Sequence, residues 1–143
     1  MKIAIIGLGK MGIQITKKLI EDGHSVIAMD LSESLMQEAS SVGAQTYIKK
    51  EEVAGAFSES EKQVLWLMVP SEVVDSALVE WTAILKPNSI IIDGGNSDYR
   101  LTAKRAATLS TSNMHLIDSG TSGGVWGYDR GFSMMIGGDN EVF

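Results

Sequence analysis

Met1-Lys2-Ile3-Ala4-Ile5-Ile6-Gly7-Leu8-Gly9-Lys10-Met11-Gly12 opens the chain, and its reading decides the fold. Residues 3–6 are continuously apolar, as a parallel strand covered on both faces requires. Gly7, Gly9 and Gly12 follow in G-x-G-x-x-G spacing, with Leu8, Lys10 and Met11 between them. Residues 10–22 then carry helical periodicity: Met11, Ile15, Leu19 and Ile20 share a face, with Lys17, Lys18 and Glu21 opposite. Each glycine meets a separate demand. Gly7 allows the tight turn, Gly9 lets the backbone approach a pyrophosphate, and Gly12 lets helix and strand pack closely. The helix start offers unpaired N–H groups and a positive dipole end to an anion. The expected ligand of Gly7, Leu8, Gly9, Lys10, Met11 and Gly12 is a dinucleotide.

Asp30 ends the second apolar run, residues 26–29, where a carboxylate takes a ribose 2′-hydroxyl. It repels a 2′-phosphate, and the following Leu31-Ser32-Glu33 supplies no Arg to hold one, so NAD is expected over NADP. Asp30 also stands where it can cap a helix starting at Ser32.

The same alternation continues along the chain. Residues 64–69, 90–92 and 116–117 are further apolar runs, and 32–42, 71–85 and 97–110 carry helical periodicity. Ser32, Ser71 and Ser97 stand at expected N-caps, and Gly23 and Gly43 just past helix ends. This pattern predicts a Rossmann-type, doubly wound, mainly parallel α/β sheet with helices on both faces. Residues 120–131 read as a Gly-rich loop and 132–136 as a last strand, with no linker dividing residues 1–143.

Composition narrows the function. Hydrophobic residues make up 44% and charged residues 21% of 143, an ordinary globular balance that excludes intrinsic disorder. Twelve basic against eighteen acidic residues give a net charge of −6, which argues against nucleic acid or an anionic membrane as partner. No stretch approaches a membrane span, and Lys10, Lys17 and Lys18 interrupt the N-terminal apolar region as a signal peptide would not allow. Zero Cys excludes disulfides and a thiol nucleophile and fits a reducing, cytoplasmic setting. Two His leave little material for a metal site, so none is expected.

Three further segments lie at strand ends: Met68-Val69-Pro70, Asp93-Gly94-Gly95-Asn96-Ser97, and Gly120-Thr121-Ser122-Gly123-Gly124-Val125-Trp126-Gly127. Together with the glycine fingerprint they resemble the 6-phosphogluconate dehydrogenase family of the β-hydroxyacid dehydrogenase superfamily. The Gly-Gly-Val-Trp-Gly form is similar to its shorter, NAD-preferring bacterial branch, and the resemblance covers residues 1–138. It implies that Asn96 contacts substrate and nicotinamide. It implies that Ser122, Gly123 and Gly124 hold the substrate through a hydroxyl and backbone N–H groups, and that Met68, Val69 and Pro70 form the loop beside the cofactor. The substrate implied is 6-phosphogluconate or a similar sugar acid. One departure is Leu101-Thr102, where the family carries Asp-Ser or Asp-Thr.

The resemblance also implies a lysine general base and a glutamate acid in an all-helical C-terminal domain beyond Phe143. Neither Lys10 nor Lys104 sits in an equivalent context. Residues 1–143 are therefore read as the dinucleotide-binding domain of a larger, homo-oligomeric, decarboxylating enzyme, with no catalytic residue of its own and little turnover alone. Two rival readings are a 3-hydroxyisobutyrate-type dehydrogenase and a non-catalytic nucleotide-sensing module; Asp93-Gly94-Gly95-Asn96-Ser97 favours the sugar-acid branch. Asp93 is expected to structure its loop, Trp126 to serve packing or an interface, His24 and His115 to be structural, and the eight Met to fill the core.

Overall fold

The computed structural model describes residues 1–138 and 142. Along them run β1 (Lys2–Ile6), α1 (Lys10–Glu21), β2 (Ser25–Met29), α2 (Glu33–Ser41), β3 (Gln45–Thr46), α3 (Lys50–Gly55) and β4 (Val64–Leu67). There follow α4 (Ser71–Thr82), β5 (Ile90–Asp93), α5 (Tyr99–Ser110), β6 (His115–Ser122), a 3-10 turn (Gly124–Trp126), α6 (Gly127–Arg130) and β7 (Ser133–Gly138). The strands form one sheet in the order β3-β2-β1-β4-β5-β6-β7. All neighbours pair in parallel except β7, which lies antiparallel to β6.

The continuous apolar runs follow from this layering. Ile3, Ile5, Val26, Ala28, Val64 and Trp66 pack with Ile13 and Ile15 of α1 and Ala39 of α2. Their alternates Ala4, Ile6, Ile27, Leu65, Leu67 and Ile91 pack with Val53 of α3, Val74 and Trp81 of α4 and Leu109 of α5. Successive strand residues point to opposite faces, so helices on both sides demand an apolar residue at every position. The chain leaves β1 toward β2 and returns to β4 on its other flank, which makes the carboxyl ends of β1 and β4 the switch point of the sheet.

The doubly wound architecture agrees with the sequence, while several boundaries differ. The apolar run 64–69 forms strand only to Leu67, and Met68 and Val69 turn off the sheet toward Pro70. Periodicity marks no element between 43 and 63, yet β3 and α3 lie there; two and six residues are too few to develop a period. Strand β6 runs to Ser122, well into the predicted loop, because its polar end Asp118–Ser122 is held by the β7 ladder rather than by an apolar run. The remainder of that loop contains the 3-10 turn and α6.

The helix starts differ too. Asp98, not Ser97, caps α5, its carboxylate accepting the Arg100 N–H at 3.0 Å. Ser71 is the first residue of α4 and Pro70 holds the cap position. Ser32 is at the α2 cap, but its hydroxyl meets that of Ser34 at 2.9 Å instead of a helix N–H. Gly23 and Gly43 end their helices as expected, with φ of +83° and +105°. The methionines are not all core: Met134 and Met135 are exposed on the outer strand β7.

Candidate functional site

The glycine turn after β1 is shaped by its own backbone and by the Met68 carbonyl at the end of β4. Gly7 has φ +97°, and a Cβ there would lie 2.6 Å from the Met68 carbonyl oxygen. A Cβ on Gly12 would collide with the Gly7 carbonyl oxygen. Gly9 is different: a Cβ there would meet nothing within 4 Å, so the fold itself leaves that position free. Gly9 occupies the cap of α1, and among the described residues no side chain caps the N–H groups of the first turn. Bare backbone facing open space at an uncapped helix start fits a phosphate group.

Asp30 ties this turn to the end of β2. One of its carboxylate oxygens accepts the Leu8 N–H at 2.6 Å and the other the Ser32 N–H at 2.7 Å. It thus braces the start of α2 as well as the glycine loop, and each oxygen keeps a lone pair for a hydroxyl. Leu8, expected among the cofactor contacts, sits inside this turn. Its side chain is fully buried and its N–H is taken by Asp30, so it supports the loop and lines neither cleft described below.

Two clefts meet at the switch point. The larger, about 630 Å³, lies toward β2 and is lined by Gly7, Gly9, Asp30, Leu31, Lys50 and Trp81 among others. Lys50 is ion-paired with Glu80 on its wall. The smaller, about 320 Å³, lies toward β5 and β6, between Lys10, Met11 and Gly12 on one side and Gly95, Asn96 and Thr121 on the other. Met68, Val69 and Pro70 line both, as does Gly9.

The wall after β5 needs its two glycines for lack of room. A Cβ on Gly94 would lie 2.5 Å from Met68 Sδ and 2.6 Å from Trp66 Nε1, and one on Gly95 would lie 2.8 Å from the Val69 carbonyl oxygen. Asp93 is fully buried and accepts the Gly95 N–H at 2.9 Å, the loop-structuring part foreseen for it. Asn96 follows in left-handed backbone (φ +53°), and its side-chain oxygen accepts the Thr121 N–H at 3.3 Å. This bond fastens the β5 loop to β6 just ahead of Ser122.

Of the residues expected to hold substrate, Asn96 lines the smaller cleft, while Ser122, Gly123 and Gly124 lie immediately past its border at Thr121. Gly123 (φ +149°) and Gly124 (φ +50°) turn the chain into the 3-10 turn. Trp126 is 62% exposed with the Arg130 guanidinium 5.4 Å from its ring centre. His24 and His115 are half-buried. Thr102, in the departing segment, donates its hydroxyl to Asp118 at 3.3 Å.

Sequence reasoning missed Thr121, Lys50, Glu80 and Trp81. Trp81 falls on the apolar face of α4 with Val74, Ala77 and Leu78, a pattern that signals core and nothing more. Lys50 lies on a helix too short to announce itself.

An open α/β sheet with a glycine-lined crevice and an uncapped helix start at its switch point is a Rossmann-type dinucleotide-binding domain. The family model describing the NAD binding domain of 6-phosphogluconate dehydrogenase matches residues 2–143, and the chain belongs to that family. It is 36% identical over its whole length to the Bacillus subtilis protein YqeC, of which it covers 48%. It is 34% identical to the NAD(+)-dependent, decarboxylating 6-phosphogluconate dehydrogenase of Haloferax volcanii, covering 46% of that protein. Among solved structures, 3-hydroxyisobutyrate dehydrogenase of Mycobacterium tuberculosis superposes with a TM-score of 0.85 at 28% identity, over 98% of this chain and 47% of that one. The chain spans about half the length of these relatives. Among the described residues no helix is long and apolar enough to cross a membrane.

Proposed function

We propose that this chain is the cofactor-binding half of an NAD-preferring 6-phosphogluconate dehydrogenase. Asn96 at the mouth of the smaller cleft, tied to the Ser122-Gly123-Gly124 segment through Thr121, is the observation that carries the sugar-acid reading. In this reading adenosine lies in the larger cleft, with its ribose hydroxyls on Asp30. The pyrophosphate lies over Gly9 and the start of α1. The nicotinamide enters the smaller cleft between Met11 and Asn96, beside Met68, Val69 and Pro70.

When bound, NAD supplies an acceptor for hydride. The chain's own residues bind and orient it. Asn96 offers an amide to substrate and nicotinamide, and Ser122, Gly123 and Gly124 offer a hydroxyl and backbone N–H groups to the sugar acid. Charge supports the choice of NAD. Asp30 places an acidic side chain at the ribose end of the larger cleft, and Lys50, the cation lining that cleft among the described residues, is paired with Glu80. The base and acid of the reaction belong in this reading to the all-helical domain beyond residue 143, which also brings phosphate-binding cations and the contacts between subunits.

The test joins this domain to that second half. Supplied with NAD, the longer protein should oxidise 6-phosphogluconate with release of carbon dioxide, and Asn96→Ala should lower turnover by about a hundredfold without loss of folding. Turnover of 3-hydroxyisobutyrate instead would move the chain to that branch. NADH binding that neither acid alters, with no turnover of either, would leave a nucleotide-sensing module.

A further inference from the structure

Behind the Asn96 loop lies a charge network of Arg105, Asp93, Asp75 and Asp118, none of which lines either of the two clefts at the switch point. Arg105 of α5 is only 6% exposed. Its guanidinium forks: Nη1 donates to Asp93 at 3.1 Å and Nε to Asp75 of α4 at 2.7 Å. The second Asp93 oxygen is the one that holds the Gly95 N–H. Asp118, opposite Asp93 in the β5–β6 register, brings a further carboxyl group to the same place. Burial and then the Asp93 charge push Asp118 above the usual carboxylate range, while Arg105 pulls against that shift. The guanidinium is itself held strongly protonated, first by Asp75.

We infer that Arg105 is a positioning residue for the nicotinamide end of the crevice, acting through Asp93 and the Gly95 N–H on the orientation of Asn96. A fully buried carboxylate without a partner would draw its charge partner from elsewhere or take up a proton. Either change alters the hydrogen bond that fixes Gly95, one residue before Asn96. The planar fork matters as well as the charge, since one guanidinium spans two helices and a strand end while an ammonium is a single point.

The inference rests on the placement of nicotinamide beside Asn96, and the test separates the two. NADH and ADP-ribose, which lacks the nicotinamide, are titrated against the unaltered chain, Arg105→Lys and Asn96→Ala. Arg105→Lys keeps the buried positive charge. It is expected to bind NADH about fivefold more weakly, with ADP-ribose affinity unchanged. NADH affinity equal to that of the unaltered chain overturns the inference, and so does equal weakening of both ligands, the mark of a loosened fold. If Asn96→Ala weakens NADH while Arg105→Lys does not, the positioning role alone fails. If neither variant changes NADH affinity, the nicotinamide placement fails with it.

Should Arg105→Lys not fold, Asp93→Asn keeps an oxygen for the Gly95 N–H but turns an amide NH2, a donor, toward Arg105, and so breaks the link on which the inference depends. A shifted Gly95 amide resonance with NADH-selective weakening supports the inference, and unchanged NADH affinity overturns it.

Discussion

The turn after β1 and the loop after β5 both deliver bare backbone to one crevice, and they are held in shape by different means. At the first, the constraint on Gly12 comes from Gly7, five residues away, Gly7 itself is pressed by the Met68 carbonyl, and Asp30 supplies a brace across one strand pair. At the second, Gly94 and Gly95 are squeezed by Trp66, Met68 and Val69, and their shape depends on a carboxylate that needs Arg105 from the next helix. A local device can be written as a short motif. A device that takes its brace from the following helix cannot.

The strongest way to break this comparison is at the first turn. Gly12→Ala should cost about 3 kcal/mol or more, because the new methyl would collide with the Gly7 carbonyl, which as backbone cannot simply swing aside. Gly9→Ala should change stability by less than about 0.5 kcal/mol, having open space and negative φ, while weakening NADH about tenfold. Equal melting losses in the two variants would remove the distinction between packing glycine and ligand-facing glycine. Thermal melts beside NADH titrations decide it.

Gly95→Ala sharpens the second half of the comparison. The added methyl would meet the Val69 carbonyl oxygen and Val74, so a loss of about 2 kcal/mol is expected, with a displaced Asn96 and weaker NADH. Asp30→Ala removes the acceptor of two backbone N–H groups and should cost about 1–2 kcal/mol. It should also weaken NADH and narrow the gap to NADPH; an unchanged gap would take Asp30 out of cofactor choice.

The smallest effect concerns Asp118. Its folded pKa lies above the ordinary 3.8, chiefly through burial and then through Asp93. A raised carboxyl pKa favours the folded state below the unfolded value, and that contribution is lost as pH rises through the folded value. Asp118→Asn carries no charge and can still accept from Thr102. It should therefore raise Tm slightly at pH 7, with the difference closing as pH falls toward 3.8. A lower Tm at pH 7 would mean that the ionised carboxylate is well compensated by Arg105.

These contrasts also explain what was legible. Residues 3–6, 26–29 and 90–92 announce a sheet covered on both faces because their positions pack against one helix layer or the other, all buried except the half-buried Met29 and Ile92. The glycine fingerprint is readable because Gly7, Gly9 and Gly12 fall close together in the chain, and Asp30 because it directly follows an apolar run. The extension of β6 through Asp118–Ser122 is not, since antiparallel pairing with β7 holds a polar segment in place. Leu8 looks like a ligand contact by position in the motif, yet its apolar side chain turns into the core. Arg105 and Trp81 each sit on the buried face of a helix, where periodicity reports burial without saying what the residue does there.

In the proposed reading NAD binds the crevice with its ribose on Asp30 and its pyrophosphate over Gly9. Trp81 lines the larger cleft, so energy transfer from tryptophan to reduced nicotinamide reports binding directly. Titration of this chain with NADH and NADPH should give saturable NADH binding at least about tenfold tighter than NADPH, one decade being 1.4 kcal/mol. Equal affinities would contradict the role of Asp30, and binding of neither by a chain with a cooperative thermal melt would contradict the account of the crevice itself.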